Sequence, residues 1–315
     1  MRRVRALTIV LSCWLALATA GCGSKPERPP TLCFLERGEG TANLPVTPEQ
    51  WLELVVRPIE RGGDTIATQD CTGAPIEYQP PPTDCVVKLP PLGEPEPVPL
   101  TEASIVERRL PRDERLLWVI THRFKNGDGY GPVALVRVFD DGIAVGALGN
   151  MRLRTTRVKL DLWSIEGRSV LVGAGETCTD PKDAATCHRA ANVLVYHNRH
   201  FFDPPITYKD GRCIDMPWIE LEREASAPLP NGWNRHFEIT STIGHDHRYV
   251  VITEQVVVDD ADPNAPDVPA RTVRRIDTER FIHVEGPRLV TRQHPLWHRI
   301  LPTSGEIDLK DPSKL

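Results

Sequence analysis

Three shortages bound what this sequence encodes. No stretch reaches about 18 consecutive apolar residues, so no segment of the processed chain is expected to cross a membrane as a helix. Basic charge is not in excess: 38 Lys and Arg stand against 43 Asp and Glu, for a formal net charge of −5. Nothing concentrates positive charge enough to replace phosphate counterions, so no nucleic-acid partner is expected. Catalytic signatures are missing as well. There is no Gly-x-Ser-x-Gly, no Walker-type Gly-x-x-x-x-Gly-Lys, no Cys-x-x-Cys and no complete Gly-x-Gly-x-x-Gly, and no cofactor is expected. That absence leaves room for hydrolases built on scattered carboxylates, which no spacing reveals.

Proline and cysteine are instead plentiful, at 30 and 8 residues. The prolines exclude a long-helix or coiled-coil protein, and the cysteines argue against a reducing compartment. With 40% hydrophobic and 26% charged residues, the chain is too apolar for disorder throughout and too polar for a multi-pass membrane protein.

The chain opens with a targeting pattern. Arg2, Arg3 and Arg5 precede an uncharged apolar run from Leu7 to Ala18, which ends in the small residues Ala18-Thr19-Ala20-Gly21. This is the layout of a signal peptide over residues 1–21. Ala18-Thr19-Ala20 fits an A-x-A cleavage site, which would release a soluble protein. Ala20-Gly21-Cys22 resembles the lipobox of bacterial lipoproteins, where a cysteine after two small residues becomes diacylated. The resemblance covers residues 1–22 and identifies no family for the folded domain. It implies lipidation of Cys22, a polar tether over residues 22–32 and a membrane partner through the lipid. Gly23 is not the Asp associated with inner-membrane retention. An outer membrane is implied, with the protein facing the periplasm or the cell surface. Cysteine parity agrees. Cys13 leaves with the signal, and a lipidated Cys22 leaves Cys33, Cys71, Cys85, Cys178, Cys187 and Cys213 free to pair.

Proline divides the remainder. Residues 22–114 hold 16 of the 30 prolines and only Phe34, Trp51 and Tyr78 as aromatics. A Pro-rich region over 33–114 with little core and a β-rich domain over 115–315 are expected. One helix is predicted in the first. Thr47 suits the N-cap, Pro48 the first turn and Gln50 the capping box, and Pro58 ends the helix. Trp51, Leu54 and Val55 share its apolar face. The run 89–99 reads as an extended polyproline-like spacer. Cys71 with Cys85, Cys33 with Cys213 and Cys178 with Cys187 are the expected disulfides, chosen from 15 connectivities.

From Arg115 the pattern changes to short β-branched and aromatic runs broken by turn signals, among them Asn126-Gly127-Asp128-Gly129 and Glu166-Gly167-Arg168. Val158, Leu160 and Leu162 alternate toward a core. About eleven strands with short connections predict a mainly β fold, an antiparallel meander forming a sandwich or barrel.

The polar clusters are ambiguous. His245 and His247 in Gly244-His245-Asp246-His247 are the metal-ligand candidates, but Gly and Asp between two strands also make a hairpin tip. His294 and His298 have helical i, i+4 spacing, with Pro295 where a zinc peptidase has its Glu. Asp260, Asp262 and Asn264 have calcium-loop spacing, but Ala265 and Arg271 replace the required Gly and Glu. Cys187-His188 could form a thiolate–imidazole couple, though adjacent residues rarely align for proton transfer. The leading reading is a lipid-anchored envelope protein whose β-rich domain is a binding or structural module for envelope protein or glycan. The alternatives are a metal-dependent or carboxylate-based hydrolase and a β-barrel carrier of an apolar ligand.

Overall fold

The computed structural model describes residues 30–38, 40–41, 44–80, 85, 92–178 and 187–296. The signal segment, Cys22, the tether to residue 29 and His298 lie outside them. β1 (Cys33–Glu36) leads to the one α-helix among the described residues, α1 (Pro48–Val55), and to the hairpin β2 (Val56–Arg61) and β3 (Asp64–Asp70). β4 (Glu96–Pro97) and β5 (Ile105–Arg109) follow. Then come β6 (Glu114–Val119), β7 (His122–Arg123), β8 (Gly129–Phe139), β9 (Gly142–Leu153), β10 (Thr156–Ile165), β11 (Arg168–Cys178), β12 (Cys187–His197) and β13 (His200–Phe202). The last third holds β14 (Ile206–Thr207), β15 (Cys213–Asp215), β16 (Trp218–Glu220), β17 (Glu222–Pro228), β18 (Asn234–His245), β19 (Val250–Ala261), β20 (Arg271–Glu285) and β21 (Arg288–Val290).

The fold is mainly β. The main sheet runs β10-β11-β12-β13-β9-β8-β6-β5, with β1 added to β9, β16 to β12, and β4 joined through β7 to β8. The second runs β15-β14-β21-β20-β19-β18-β17. Pairing is antiparallel except for β13 on β9 and β14 on β21. The main sheet curls until its two ends approach. Arg108 and Asp161 pair across the gap at 3.8 Å, but no hydrogen-bond ladder joins β5 to β10 and the barrel is not closed. The strand count exceeds the predicted eleven because several strands here have only two or three residues.

Strand periodicity separates the two faces of this sheet. Leu116 and Trp118 of β6, Val133 of β8, Leu160 of β10 and Leu171 of β11 fill the interior. Val158 and Leu162 pack against the same cluster, as their alternation predicts. Their neighbours point outward into two different covers. Leu117, Val119, Ala134 and Val136 meet Trp51, Leu54 and Val55 of α1. Ile165, Val170, Val172 and Val193 meet Ile252 and Ile282 of the second sheet.

The helix forms where its local signals put it. Thr47 accepts from the Gln50 backbone, the Gln50 side chain accepts from Thr47 N–H, and Trp51, Leu54 and Val55 are buried. The Pro-rich region nonetheless buries more than its composition predicts. β1 docks on β9 against Gly142, where an added Cβ would lie 2.4 Å from the Phe34 ring. The boundary expected at residue 115 falls at the start of β6, which is hydrogen-bonded to β5. The described part of the 89–99 run differs from a free spacer. It is extended, but lies on the sheet instead of standing free. Its prolines alternate with residues that donate, so Val98 N–H reaches Thr121 O at 2.9 Å and Leu100 N–H reaches Thr65 O at 2.8 Å.

All six described cysteines are paired. Cys178–Cys187 joins directly opposed residues of β11 and β12, as expected. The other two pairings correct the expectation: Cys33 bonds Cys71, and Cys85 bonds Cys213. Short loop length favours Cys71 with Cys85, but β1 and the β3 turn both pack beside α1, which brings Cys33 to Cys71. The chain-entropy model assigns about 5, about 4 and about 2.6 kcal/mol to closing loops of 128, 38 and 9 residues. Paired Cys→Ala variants should lose stability in that order, Cys85/Cys213 most, when their urea unfolding is compared with the parent.

Candidate functional site

A charge buried without a partner is costly, so a buried ionisable cluster marks a place the fold has had to arrange in detail. One such cluster lies where β8, β9, β12 and β16 meet. The β8–β9 register sets Tyr130 opposite Arg152, and the β12–β16 register sets Asn192 opposite Trp218. Asp128, in the turn before β8, is fully buried. Its Oδ2 accepts from Arg152 Nε at 2.9 Å and from Asn126 Nδ2 at 3.0 Å. The Arg152 guanidinium lies 3.9 Å from the Trp218 ring centre, a desolvated cation–π contact. Trp218 Nε1 donates to Glu220 at 2.9 Å, and Arg154 donates to the same carboxylate at 3.1 Å. Asn192 Nδ2 donates to Arg152 O at 3.1 Å.

Asp203, just after β13, completes the cluster. Burial pushes its carboxyl up to about 7, against the downward pull of the Asn192 side chain and the Arg152 guanidinium. The residue as a whole is exposed, so solvent screening makes the rise smaller than full burial would give. Tyr130 donates to Glu77 O at 2.7 Å, and burial together with the negative Asp203 holds its hydroxyl above the ordinary value. Tyr78 from the N-terminal region stacks edge-on to Tyr130 at 5.5 Å. The result is a carboxyl able to titrate near neutrality, set among two phenols, an amide and a guanidinium.

A second buried network ties the second sheet together. Arg280 is 2% exposed and lies 3.5 Å from Asp215 and 3.7 Å from Glu254. Glu254 also accepts from Leu296 N–H at 3.1 Å. Burial raises both carboxyls, opposed by Arg280, and lowers the nearby Arg223. The cavity beside them has about 20 Å³, room for one water and not for an organic substrate. A wider surface groove of about 230 Å³ lies between β12 and the β17–β18 hairpin, lined by Cys187, His188, Glu222, Glu224 and Glu238.

No family model matches the chain, and no curated protein or solved structure matches it either.

The residues singled out by spacing do not converge on either network. Gly244 and His245 end β18, and residues 246–249 form the loop to β19. Asp246 Oδ1 caps that loop by accepting from Arg248 and Tyr249 N–H, each at 2.7 Å. His245 stacks on Trp163 at 4.7 Å, while His247 O accepts from Glu166 N–H at 2.9 Å. The loop is thus a hairpin tip resting on the β10–β11 turn. Among the described residues, the one group of three or more His, Cys, Asp or Glu close enough to share an ion is Glu176, Cys178 and Cys187. His294 contacts the Tyr208 hydroxyl at 3.1 Å. Asp260 is held by Arg235 at 2.7 and 2.9 Å, so the calcium-type spacing at Asp260, Asp262 and Asn264 has lost one carboxylate to an ion pair. Cys187 is in a disulfide and offers no thiolate to His188. Asp128, Arg152, Asp203 and Trp218 escaped sequence reasoning. Asp128 stands in an Asn-Gly-Asp-Gly run that signals a turn and nothing else.

Two outcomes follow from the buried charges. Arg152→Met should destabilise by about 3 kcal/mol because it leaves the buried Asp128 only the Asn126 amide at 3.0 Å and the more distant Arg154 at 3.7 Å, whereas Asp128→Asn with Arg152→Met should cost less than the two singles summed. A double-mutant cycle by urea denaturation reads that coupling. For Asp203, the native state keeps a proton that the unfolded chain has lost between 3.8 and about 7, so stability falls as pH rises through that window. Asp203→Asn should flatten this slope, measured as unfolding midpoints at about pH 5 and about pH 8.

Proposed function

We propose that the protein is an exported lipoprotein of the cell envelope, anchored through Cys22, whose β-rich domain serves as a binding or structural module for envelope protein or glycan. The observation that carries this reading is the cysteine pairing. Cys33, Cys71, Cys85, Cys178, Cys187 and Cys213 all lie in disulfides, which fits an oxidising compartment. With Cys13 in the signal, Cys22 is left without a native partner, as a lipidated residue requires. No helix among the described residues is long and apolar enough to cross a membrane, which leaves the lipid as the proposed attachment.

The interior of the main sheet supports a module over a carrier. Trp118, Met151 and Leu153 fill it and are fully buried, so a carried ligand would have to displace packed side chains. A carboxylate-based hydrolase is the second reading, and Asp203 is its specific support, since a carboxyl titrating near neutrality suits general acid–base work.

Cys22→Ser should move the protein from the membrane fraction to the soluble fraction and remove the acyl groups from its intact mass. Unchanged membrane association, or a parent mass without acyl groups, would sink the anchor. Crosslinking in intact cells should recover an envelope protein or glycan, and recovery of neither counts against the module.

A further inference from the structure

The turn between β12 and β13 brings together two histidines that neither network uses. Asn198 and Arg199 occupy it with φ of 49° and 66°, and this pair of left-handed residues makes a tight two-residue hairpin. His197 and His200 flank the turn as directly opposed partners. Opposed residues of an antiparallel pair have Cβ atoms about 4.5–5.5 Å apart on one face of the sheet. Phe202 lies beside both imidazoles, its ring centre 6.4 Å from His197 and 6.1 Å from His200.

The tip is fixed from below. Leu148 N–H donates to Arg199 O at 3.1 Å, and β13 pairs in parallel with β9 from His200 and Phe201. Gly149 permits that approach, since a Cβ there would meet Phe201 O at 2.2 Å. Both histidines are exposed, and neither imidazole has a hydrogen-bond partner among the described residues. Phe202 is 41% exposed, an apolar ring left in solvent beside two unused ligand groups.

We propose that His197 and His200 chelate a late first-row divalent transition-metal ion, copper(II) foremost. Two imidazole nitrogens bound to one ion at about 2.0–2.1 Å lie no more than about 4 Å apart, a span that opposed histidines close by side-chain rotation alone. No existing hydrogen bond has to break. The Phe202 ring walls one side of the site, and water fills the remaining positions. Two neutral nitrogens select for imidazole-loving ions and against magnesium and calcium, which want oxygen. Arg199 sits at the tip in solvent, where its charge is screened.

The test is a titration of the purified, untagged, disulfide-intact full chain with copper(II), nickel(II), zinc(II), magnesium and calcium chlorides. Calorimetry gives stoichiometry and affinity, and electron paramagnetic resonance counts the nitrogens on copper. The expected result is one copper per chain with two imidazole nitrogens, weaker nickel and zinc, and no magnesium or calcium. His197→Ala and His200→Ala should each weaken copper binding about tenfold or more and remove the two-nitrogen signature. Both positions are exposed, and circular dichroism with the thermal midpoint confirms that each variant folds. Copper should raise the thermal midpoint of the parent but not of the double variant. The proposal is overturned if the double variant binds copper as the parent does. It is overturned equally if His245→Ala with His247→Ala abolishes binding that the His197 and His200 variants retain.

Discussion

A strand that is apolar on both faces cannot leave either one in water, and this constraint organises the molecule. In β12, Ala190 to Val195 are buried without interruption. An antiparallel sheet more often shows one face to solvent. Here curling gives the main sheet an interior on one side, and the outer face is then too large and too greasy to stand alone. The second sheet covers it at β10 to β12, and α1 covers it at β6 to β9. The N-terminal region is therefore a structural cover, stitched down by Cys33–Cys71 and Cys85–Cys213 because its own side chains bury modest area.

The buried charges sit at the joints of this arrangement. Asp128 and Arg152 lock the end of the β8–β9 hairpin to Trp218, and Asp215, Arg280 and Glu254 cross-link strands of the second sheet. An ion pair in a dry joint has one register in which both charges are met.

What was legible from sequence was local. The α1 signals lie within a few residues of Thr47, and the hairpins at Glu166-Gly167 and around Cys178 and Cys187 have their instructions in the turn itself. Pairing of Cys33, Cys71, Cys85 and Cys213 was not legible, because it depends on which elements meet across the fold. The two-residue strands fall below any periodicity. Asp203 acquires its character from burial among distant strands, opposed by Asn192 on β12 and Arg152 on β9. His197 and His200 were hidden by a turn of Asn198 and Arg199, without the glycine that usually marks such a hairpin.

The disulfides are nested: Cys178–Cys187 lies wholly within the span that Cys85–Cys213 closes. A chain emerging from its N-terminus can join Cys33 to Cys71 early, but Cys85 must then wait 128 residues for its partner. During that wait Cys178 and Cys187 arrive first, each a wrong partner. Oxidation in order of appearance would give Cys85–Cys178 and strand Cys187 with Cys213. Correct assembly therefore needs β11 and β12 to form their hairpin and sequester Cys178 and Cys187 before Cys85 is oxidised. Otherwise an isomerase must undo the error.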